Sequence, residues 1–380
     1  MTLLRVSAIG LFLGGLALSS IGISKVQAQE FFVEYSGDLL KNTSGGNKRA
    51  SEYVDILYLS VDDQYQLSKN LNIVAHASAL YSNGAGFSAN IVGDDQVVSN
   101  LETGDSLTKL AEAWLRLEGN KWSLLAGLYD INRDFDVLDS AELFFNSSHG
   151  IGPDIGLSGG NGPSIFPFYG LGVSGFYQVN EQHSLRFSVT DGLPGDPERP
   201  SSIAAKLESG DGAFSIVEWA YKNEDQTWLV GYWQYTVSEP LSALLSSRAI
   251  TDLNKGYYLR HQRSIGNSRV FFRLGTADSS FNKYDRFMGA GISFESPFSE
   301  RSEDSWGFAF AYARIGQEAK INAELEGEVL EKGELNVEFT YAYSVNEYIA
   351  LQPNIQLIKN AGARNIPSST VLGIRLTLSM

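Results

Sequence analysis

The 380-residue sequence has no cysteine, few basic residues and, after residue 28, no apolar run long enough to form a transmembrane helix. Without cysteine the chain cannot be a disulfide-stapled module, so extensive hydrogen bonding or a large core must stabilise it. Lys and Arg together number 29 against 44 Asp and Glu, which gives a net charge of −15. Because a surface of that sign repels nucleic acid, we expect no nucleic-acid partner.

Patterns for catalysis and metal binding are also missing. The four histidines lack metal-ligand spacing, and none lies beside a serine in a hydrolase motif. The segment GIGPDIG, at 150–156, is followed by neither a lysine nor a helical pattern, so it is not a phosphate loop. We predict no enzyme activity, no cofactor and no metal. A divalent-cation site is the alternative for four acids, which we expect to form a solvated loop: Asp94, Asp95, Glu102 and Asp105.

The N-terminus has the features of a secretory signal peptide. Arg5 precedes the apolar run 6–18, and a small-x-small sequence, VQA, ends at Ala28. The apolar run is too short to span a bilayer comfortably, although an N-terminal anchor helix is an alternative. We predict that residues 1–28 are a signal peptide and that residues 29–380 form the exported domain.

Beyond this segment, apolar residues recur at every second position, which is the period of a β-strand. The last ten residues, VLGIRLTLSM, show it most clearly. This alternation fits either a soluble sandwich or an outer-membrane barrel with an apolar outer face. Many segments run about 10 to 12 residues, as tilted membrane strands do. Tyrosine and tryptophan crowd the segment ends, as in an aromatic girdle, so both features favour the barrel.

Connection lengths restrict the number of strands. An up-and-down barrel needs an even number, with short periplasmic turns alternating with longer external loops. When short and long connections are assigned inward from each terminus, the two assignments disagree between 190 and 213. Omitting the candidate strand SIAAKLES, at 201–208, makes them agree. The result predicts an all-β, sixteen-stranded antiparallel transmembrane barrel with both termini periplasmic. The sixteen segments are 30–37, 52–62, 70–82, 109–118, 121–129, 168–179, 183–190, 213–222, 227–237, 256–264, 268–277, 286–295, 305–315, 335–344, 348–358 and 369–380.

Five segments, in the same order as in the family, resemble the signature segments of the carbohydrate-selective (OprB-like) porins. They are AGLYDINRDFDV (126–137), NSSHGIGPD (146–154), NGPSIFP (161–167), DGLPGDPERP (191–200) and IALQPNIQLIKNAG (349–362). The resemblance extends from about Tyr35 to Met380. It implies a passive outer-membrane channel for mono- or small oligosaccharides. Its partners would be these permeants, outer-membrane lipid and lipopolysaccharide, and a homotrimer is one assembly open to it.

The strand count makes residues 130–167 the third external loop, after 38–51 and 83–108. In sixteen-stranded porins this loop characteristically folds into the barrel, so we predict that 130–167 is a constriction loop. Its second half, rich in glycine and proline, would then return the chain to the wall instead of linking two domains. A capping-box pattern, Asp139-Ser140-Ala141-Glu142, predicts a short helix continuing through Leu143 and Phe144.

Side chains opposite the apolar face should line the lumen. The turn at Gly266-Asn267 predicts that the numbers of two residues paired across this hairpin sum to 533. Arg260 then lies opposite Arg273 and Gln262 opposite Phe271, and all four side chains point inward. Like charges directly opposite destabilise a sheet, so this pair predicts a hydrated lumen or a nearby acidic partner. We expect loop acids to face wall arginines and create a transverse field that favours polar permeants. The alternative is that the arginines lie at the rims.

Sugars also stack on aromatic rings, and their hydroxyls bind guanidinium and carboxylate groups. Trp114 is predicted to face inward, although a girdle position beside a bulge is the alternative. An amide ladder formed by Gln352, Asn354 and Gln356 could bind permeants or merely line the wall. The candidate permeation residues are Glu112, Trp114, Arg116, Asp134, Asp136, Asp139, Glu142, Arg186, Arg260, Phe271, Arg273, Gln352 and Asn354.

Three other functions remain open on the sequence. The first is a porin of the same build for organic anions or inorganic ions, because a family resemblance does not fix the solute. The second is a barrel enzyme such as an outer-membrane lipase, and the third is a soluble secreted sandwich that binds a ligand.

Overall fold

The structure is a computed structural model that describes residues 24–25, 29–196, 198–203, 207–208, 210–237, 240–241, 253–296, 298 and 301–380. The predicted signal peptide lies outside the described residues except for Ser24–Lys25 (β1), a two-residue strand that pairs with Gln66 and Tyr65. The remaining strands form one antiparallel sheet.

Sixteen strands, β2–β17, form a closed ring in which each strand pairs with the next and β17 pairs with β2. The predicted closed, sixteen-stranded antiparallel barrel is therefore confirmed. The strands are β2 Glu30–Ser44, β3 Ser51–Ser68, β4 Leu71–Ser82, β5 Leu107–Glu118, β6 Trp122–Tyr129, β7 Gly170–Gln178, β8 His183–Asp191, β9 Ala213–Lys222, β10 Gln226–Tyr235, β11 Lys255–Ile265, β12 Ser268–Ala277, β13 Tyr284–Glu295, β14 Ser305–Ile315, β15 Gly333–Asn346, β16 Ile349–Lys359 and β17 Ser369–Ser379.

The omission of SIAAKLES was correct for the part of it that can be described, since 201–203 and 207–208 are not in strands. The predicted first loop, 38–51, was too long. β2 continues to Ser44, and the turn is made by Gly45 and Gly46, which both adopt the left-handed conformation with φ of 63° and 65°. That conformation suits glycine because it has no Cβ.

Long and short connections segregate to opposite ends of the barrel. One end carries 83–106, 130–169, 192–212, 236–254 and 316–332. The other end carries 69–70, 119–121, 179–182, 223–225, 266–267, 296–304 and 347–348, together with the start of β2 and the end of β17. We call these the loop end and the turn end.

Small residues face inward on part of the wall. In β14, Phe308 is 45% exposed on the outside, whereas Ala309, Ala311 and Ala313 are fully buried. A Cβ added at the inward Gly307 would lie 2.8 Å from the Phe144 ring. Because small and aromatic residues alternate in GFAFAYA, the inner face of this wall carries only small side chains. Other residues can therefore pack closely on it.

The inward alternation breaks once in β5. Opposite Ala77 and Ala79 of β4, the register jumps from Ala113 to Leu110, which marks a β-bulge. Ala111, which strict alternation places on the lipid face, is consequently buried with no exposed surface. Trp114 follows the bulge and faces inward.

Helical structure is limited in the described residues to short segments, chiefly Pro153–Gly156 (α1) and Gln317–Leu325 (α2). No described helix is both long and apolar enough to cross a membrane. The capping-box prediction was wrong. Residues Asp139–Ala141 form one 3-10 turn with no capping side chain, and Gln262 of the wall accepts the Ser140 N–H hydrogen bond at 3.1 Å.

Candidate functional site

One carboxylate in the segment 130–169 neutralises a pair of wall arginines. Arg260 of β11 lies directly opposite Arg273 of β12, as the register prediction required. Asp136 forms an ion pair with Arg260 and another with Arg273, at 2.6 Å between Nη2 and Oδ2. Burial alone would raise the pKa of Asp136, but the two guanidinium groups lower it below the ordinary value. Asp136 is thus the acidic partner that the arginine pair required.

This ion triad has no exposed side-chain surface. Arg260 and Arg273 therefore hold the segment 130–169 against the wall, which corrects the expectation that they line a water-filled path. Asp154, in α1, lies 3.7 Å from Arg260 and is also fully buried. Its carboxylate occupies the space where Gly275 of β12 has no side chain.

Apolar side chains beside the triad also hold the segment 130–169 against the wall. Phe271 of β12 is 4% exposed, and its ring centroid lies 5.9 Å from that of Phe144. His149 packs on both rings. Burial lowers the pKa of His149 to about 3, so this histidine is neutral near pH 7. Phe271 is accordingly a packing residue under the segment, and its ring is not available to a permeant.

Polar side chains of β15 and β16 bind the same segment through its backbone. Glu338 accepts hydrogen bonds from Phe145 N, at 2.6 Å, and Asn146 N, at 3.0 Å. Gln352 donates to Leu143 O at 2.7 Å, and Asn354 donates to Glu338 at 2.6 Å. The predicted amide ladder exists, but its members anchor loops. Gln356, for example, donates to Val98 O at 2.8 Å.

The connection 83–106 is fixed in a similar way. Glu334 of β15 accepts hydrogen bonds from Asp95 N and Gln96 N at 3.0 and 2.9 Å. Asp94 is 5% exposed, and burial raises the pKa of Glu102 to about 7. The expectation of a solvated acidic loop was therefore wrong at these two residues. Among the described residues, no group of three acids or histidines is arranged to hold a metal ion.

A second cluster lies across the barrel, on β4 and β5. Trp114 stacks on His76 with centroids 4.7 Å apart, and Arg116 and Arg133 lie 4.9 and 5.4 Å from its ring. Arg133, from the segment 130–169, forms an ion pair with Glu112. Because Trp114 is 4% exposed, its faces are already covered by these groups. Its visible role is to position Arg133, whose side chain is 34% exposed.

The other predicted arginines form their ion pairs with wall glutamates and not with the predicted loop acids. Arg116 pairs with Glu118 at 3.0 Å, and Arg186 pairs with Glu218 at 3.5 Å. Asp134 instead accepts a hydrogen bond from Tyr129 at 2.6 Å. Asp139 and Glu142 are exposed, with Asp139 3.5 Å from Gln262. Direct ion pairs between the predicted loop acids and the predicted wall arginines are thus found at Arg260 and Arg273, whereas Asp134 lines a cavity together with Arg116 and Arg186.

Three cavities that share lining residues lie between the loop end and the turn end of the barrel. A cavity of about 610 Å³ at the loop end shares Asn100, Asn132 and Phe166 with a middle cavity of about 410 Å³. The middle cavity shares Arg133 with a third, of about 460 Å³, which reaches the turn residues Glu181 and Asn223. Arg133 therefore lies where the middle and third cavities join.

Arg133 was not among the residues predicted from the sequence. Sequence reasoning also missed Glu334 and Glu338 as loop anchors. A signal for the anchors was present: both glutamates alternate with apolar residues in GELNVEF and so occupy the inward face.

A closed, sixteen-stranded antiparallel barrel with a long segment packed against its inner wall has the architecture of an outer-membrane porin. Comparison with known proteins identifies the family. Residues 65–380 match the model of the carbohydrate-selective porins, OprB family. The chain belongs to this family and is an outer-membrane protein.

Individual relatives agree with this assignment. Porin B of Pseudomonas aeruginosa is 25% identical over 121 residues, which are 28% of this chain and 27% of that protein. The high-pH structure of Pseudomonas putida OprB is 16% identical, with a TM-score of 0.80 and 97% of each chain covered. An anion-selective porin from Comamonas acidovorans is 12% identical, with a TM-score of 0.62 over 93% of this chain and 99% of that one. The two structures show the shared fold.

Proposed function

We propose that this protein is a passive channel through which mono- or small oligosaccharides cross the outer membrane. The observation that carries the proposal is the series of three cavities with shared lining residues, of which the middle and third share Arg133. Diffusion along such a path needs no catalysis and no cofactor. Family membership supports carbohydrate as the permeant class.

The segment 130–167 acts as the constriction loop. Its ion pairs to Arg260 and Arg273 and its backbone hydrogen bonds to Glu338 hold it against β11–β16. The loop consequently fills part of the lumen, and permeants are confined to the cavities that it leaves, of which the middle one borders β2–β5 and the third borders β7–β11. The width of the path then depends on how firmly the loop is held.

Sugar selectivity resides at the junction of the middle cavity. The Arg133 guanidinium donates hydrogen bonds in a planar fork that suits pairs of hydroxyl oxygens, and the amide groups of Asn100 and Asn132 donate and accept there. The rings of Phe166 and Tyr58 line the same cavity and offer apolar faces to a sugar ring. These contacts must remain weak, since a tightly held permeant cannot leave.

The turn end is periplasmic, because short turns occupy that side of bacterial barrels. Both chain termini are then periplasmic, and residues 1–28 serve as the export signal. A homotrimer is the proposed assembly, and cross-linking of the detergent-solubilised protein tests it.

A porin for organic anions or inorganic ions is the second candidate. The observation that favours it is the presence of partly exposed arginines, Arg133 and Arg186, along the path. Single-channel recording in planar bilayers separates the two candidates. For a sugar channel, adding saturating mono- or oligosaccharide reduces the ion current in a concentration-dependent manner. Ion current that is insensitive to every sugar tested would reject the carbohydrate proposal and leave the ion porin.

A further inference from the structure

The outer surface of the barrel carries a groove of about 490 Å³ across β11–β14. Outward side chains form its walls, and three of them are strongly exposed: Tyr257, Leu274 and Met288. Tyr312 of β14 closes one side. The groove is separated from the sugar path by the barrel wall and by the constriction loop packed inside it.

Two arginines border this groove. Arg286 of β13 lies directly opposite Arg314 of β14. Both share the outward alternation of Met288 and Tyr312 and line the groove with them. A pair of like charges directly opposite each other is unfavourable in a sheet, and more so on a face that meets lipid.

The outer pair is only half neutralised. Arg314 donates from Nε to Asp285 at 2.9 Å and forms a second hydrogen bond to the same carboxylate. Arg286 is exposed, and within the described part of the chain no hydrogen bond or ion pair involves its side chain. On the inner face, by contrast, Asp136 contacts both members of the Arg260–Arg273 pair. The outer pair therefore has an unmatched positive charge at the edge of an apolar groove.

The depth of this charge in the membrane follows from the strand ends. Arg286 is close to the start of β13 and Arg314 to the end of β14, both at the loop end of the barrel. With the turn end periplasmic, as proposed above, these arginines lie at the level of the outer-leaflet headgroups. The apolar groove then extends from them toward the acyl chains.

We propose that this groove binds one phosphorylated, multiply acylated glycolipid of the outer leaflet. A phosphate group of the lipid pairs with Arg286 and with the free side of Arg314, in the planar geometry that guanidinium groups offer to phosphate. An acyl chain lies between Tyr257, Leu274 and Met288. The proposal rests on the proposed orientation of the barrel and is independent of which solute passes through it.

The test uses the folded full-length protein in a neutral detergent, titrated with purified bis-phosphorylated, hexa-acylated lipid A and followed by native mass spectrometry. Arg286→Gln is expected to weaken binding about fivefold, the contribution of one arginine to an anionic lipid surface. The matched control is Arg263→Gln, because Arg263 is exposed at the opposite end of β11. This control should bind as the unmodified protein does.

Three results would overturn the proposal: wild-type affinity in Arg286→Gln, an equal loss in Arg263→Gln, or equal binding of the dephosphorylated lipid. Arg286→Lys keeps the charge and provides a second variant, with an expected affinity between those of wild type and Arg286→Gln. Each variant is first checked for heat-modifiable migration on a gel, which reports a folded barrel. Sugar block of the ion current should be unchanged in Arg286→Gln, so failure of the lipid site and failure of the channel proposal are distinguishable.

Discussion

Arg260 and Arg273 lie directly opposite each other on β11 and β12, and a single carboxylate, that of Asp136, neutralises both. The arrangement couples a strand pairing that would otherwise be unfavourable to the position of a loop. The two wall arginines need the loop carboxylate to neutralise their charges, and the same ion pairs hold the loop against the wall. The diameter of the proposed sugar path therefore depends on an ion triad that no permeant touches.

Replacing Asp136 with Asn should enlarge the channel. Breaking a buried ion pair by removing one partner costs about 3–5 kcal/mol, because an unneutralised charge remains buried. The constriction loop should loosen, and single-channel conductance and the size limit in liposome swelling should both increase. Glu142→Gln, at an exposed position of the same loop that lines none of the three cavities, should leave both unchanged. Equal conductance in Asp136→Asn and wild type would contradict the anchoring role.

Adding a side chain at Gly275 should displace the loop by steric means. A Cβ there would collide with the Asp154 carboxylate, and overpacking of this kind costs about 1–3 kcal/mol. We expect Gly275→Ala to lower the temperature at which the barrel loses its heat-modifiable migration and to increase conductance. At Gly210 a Cβ would meet nothing within 4 Å, so Gly210→Ala is the matched control. Unaltered loop behaviour in Gly275→Ala would mean that α1 does not need contact with β12.

Arg133→Ala should change the selectivity of the channel without releasing the loop from Arg260 and Arg273. Glu112 would lose its ion partner, so the reversal potential should shift toward cation selectivity, and sugar block of the current should weaken. Arg133→Lys keeps the charge but not the planar fork. It should retain the ion selectivity and still lose part of the sugar block. Arg199→Ala, at an exposed position of the connection 192–212, should behave as wild type, and sugar block that survives in Arg133→Ala would remove Arg133 from the proposed site.

The anchorage of α1 should weaken as pH rises. Burial raises the pKa of Asp154 to about 6, from an ordinary value of 3.8. The folded protein therefore holds this proton more tightly than the unfolded chain does. The resulting stability is fully present below about pH 4 and is lost as pH rises through about 6.

The measurement is the difference in thermal unfolding between pH 5 and pH 8, for wild type and for Asp154→Asn. A shift of this size is worth about 3 kcal/mol in full, of which roughly 1.4 kcal/mol is expressed between pH 5 and pH 8. Asp154→Asn should reduce the pH dependence, whereas Asp139→Asn should preserve it. Identical pH dependence in wild type and Asp154→Asn would show that Asp154 does not titrate in this range.

Local sequence was sufficient to predict the barrel. A period of two is visible within each segment, and a two-residue turn at Gly266-Asn267 determines which residues pair, so Arg260 opposite Arg273 could be predicted before any coordinates. Errors occurred where the alternation is interrupted, as at the β5 bulge that turned Ala111 inward. The capping-box helix was also wrong: Asp139–Ala141 form a single 3-10 turn, where Gln262, far away in sequence, accepts the Ser140 N–H.

The glycine-rich segment 146–167 shows which features the sequence determines by itself and which ones depend on the tertiary structure. Composition and strand count alone determined that the protein is a barrel with a long third loop, because they depend on residue order along the chain. Which half of the lumen the loop fills was decided by contacts between residues more than a hundred positions apart, such as Asp136 with Arg260 and Phe145 with Glu338. Closing the barrel brings these partners together, and that is why Arg133, which lines two of the three cavities, could be proposed as the selective residue only from the tertiary structure.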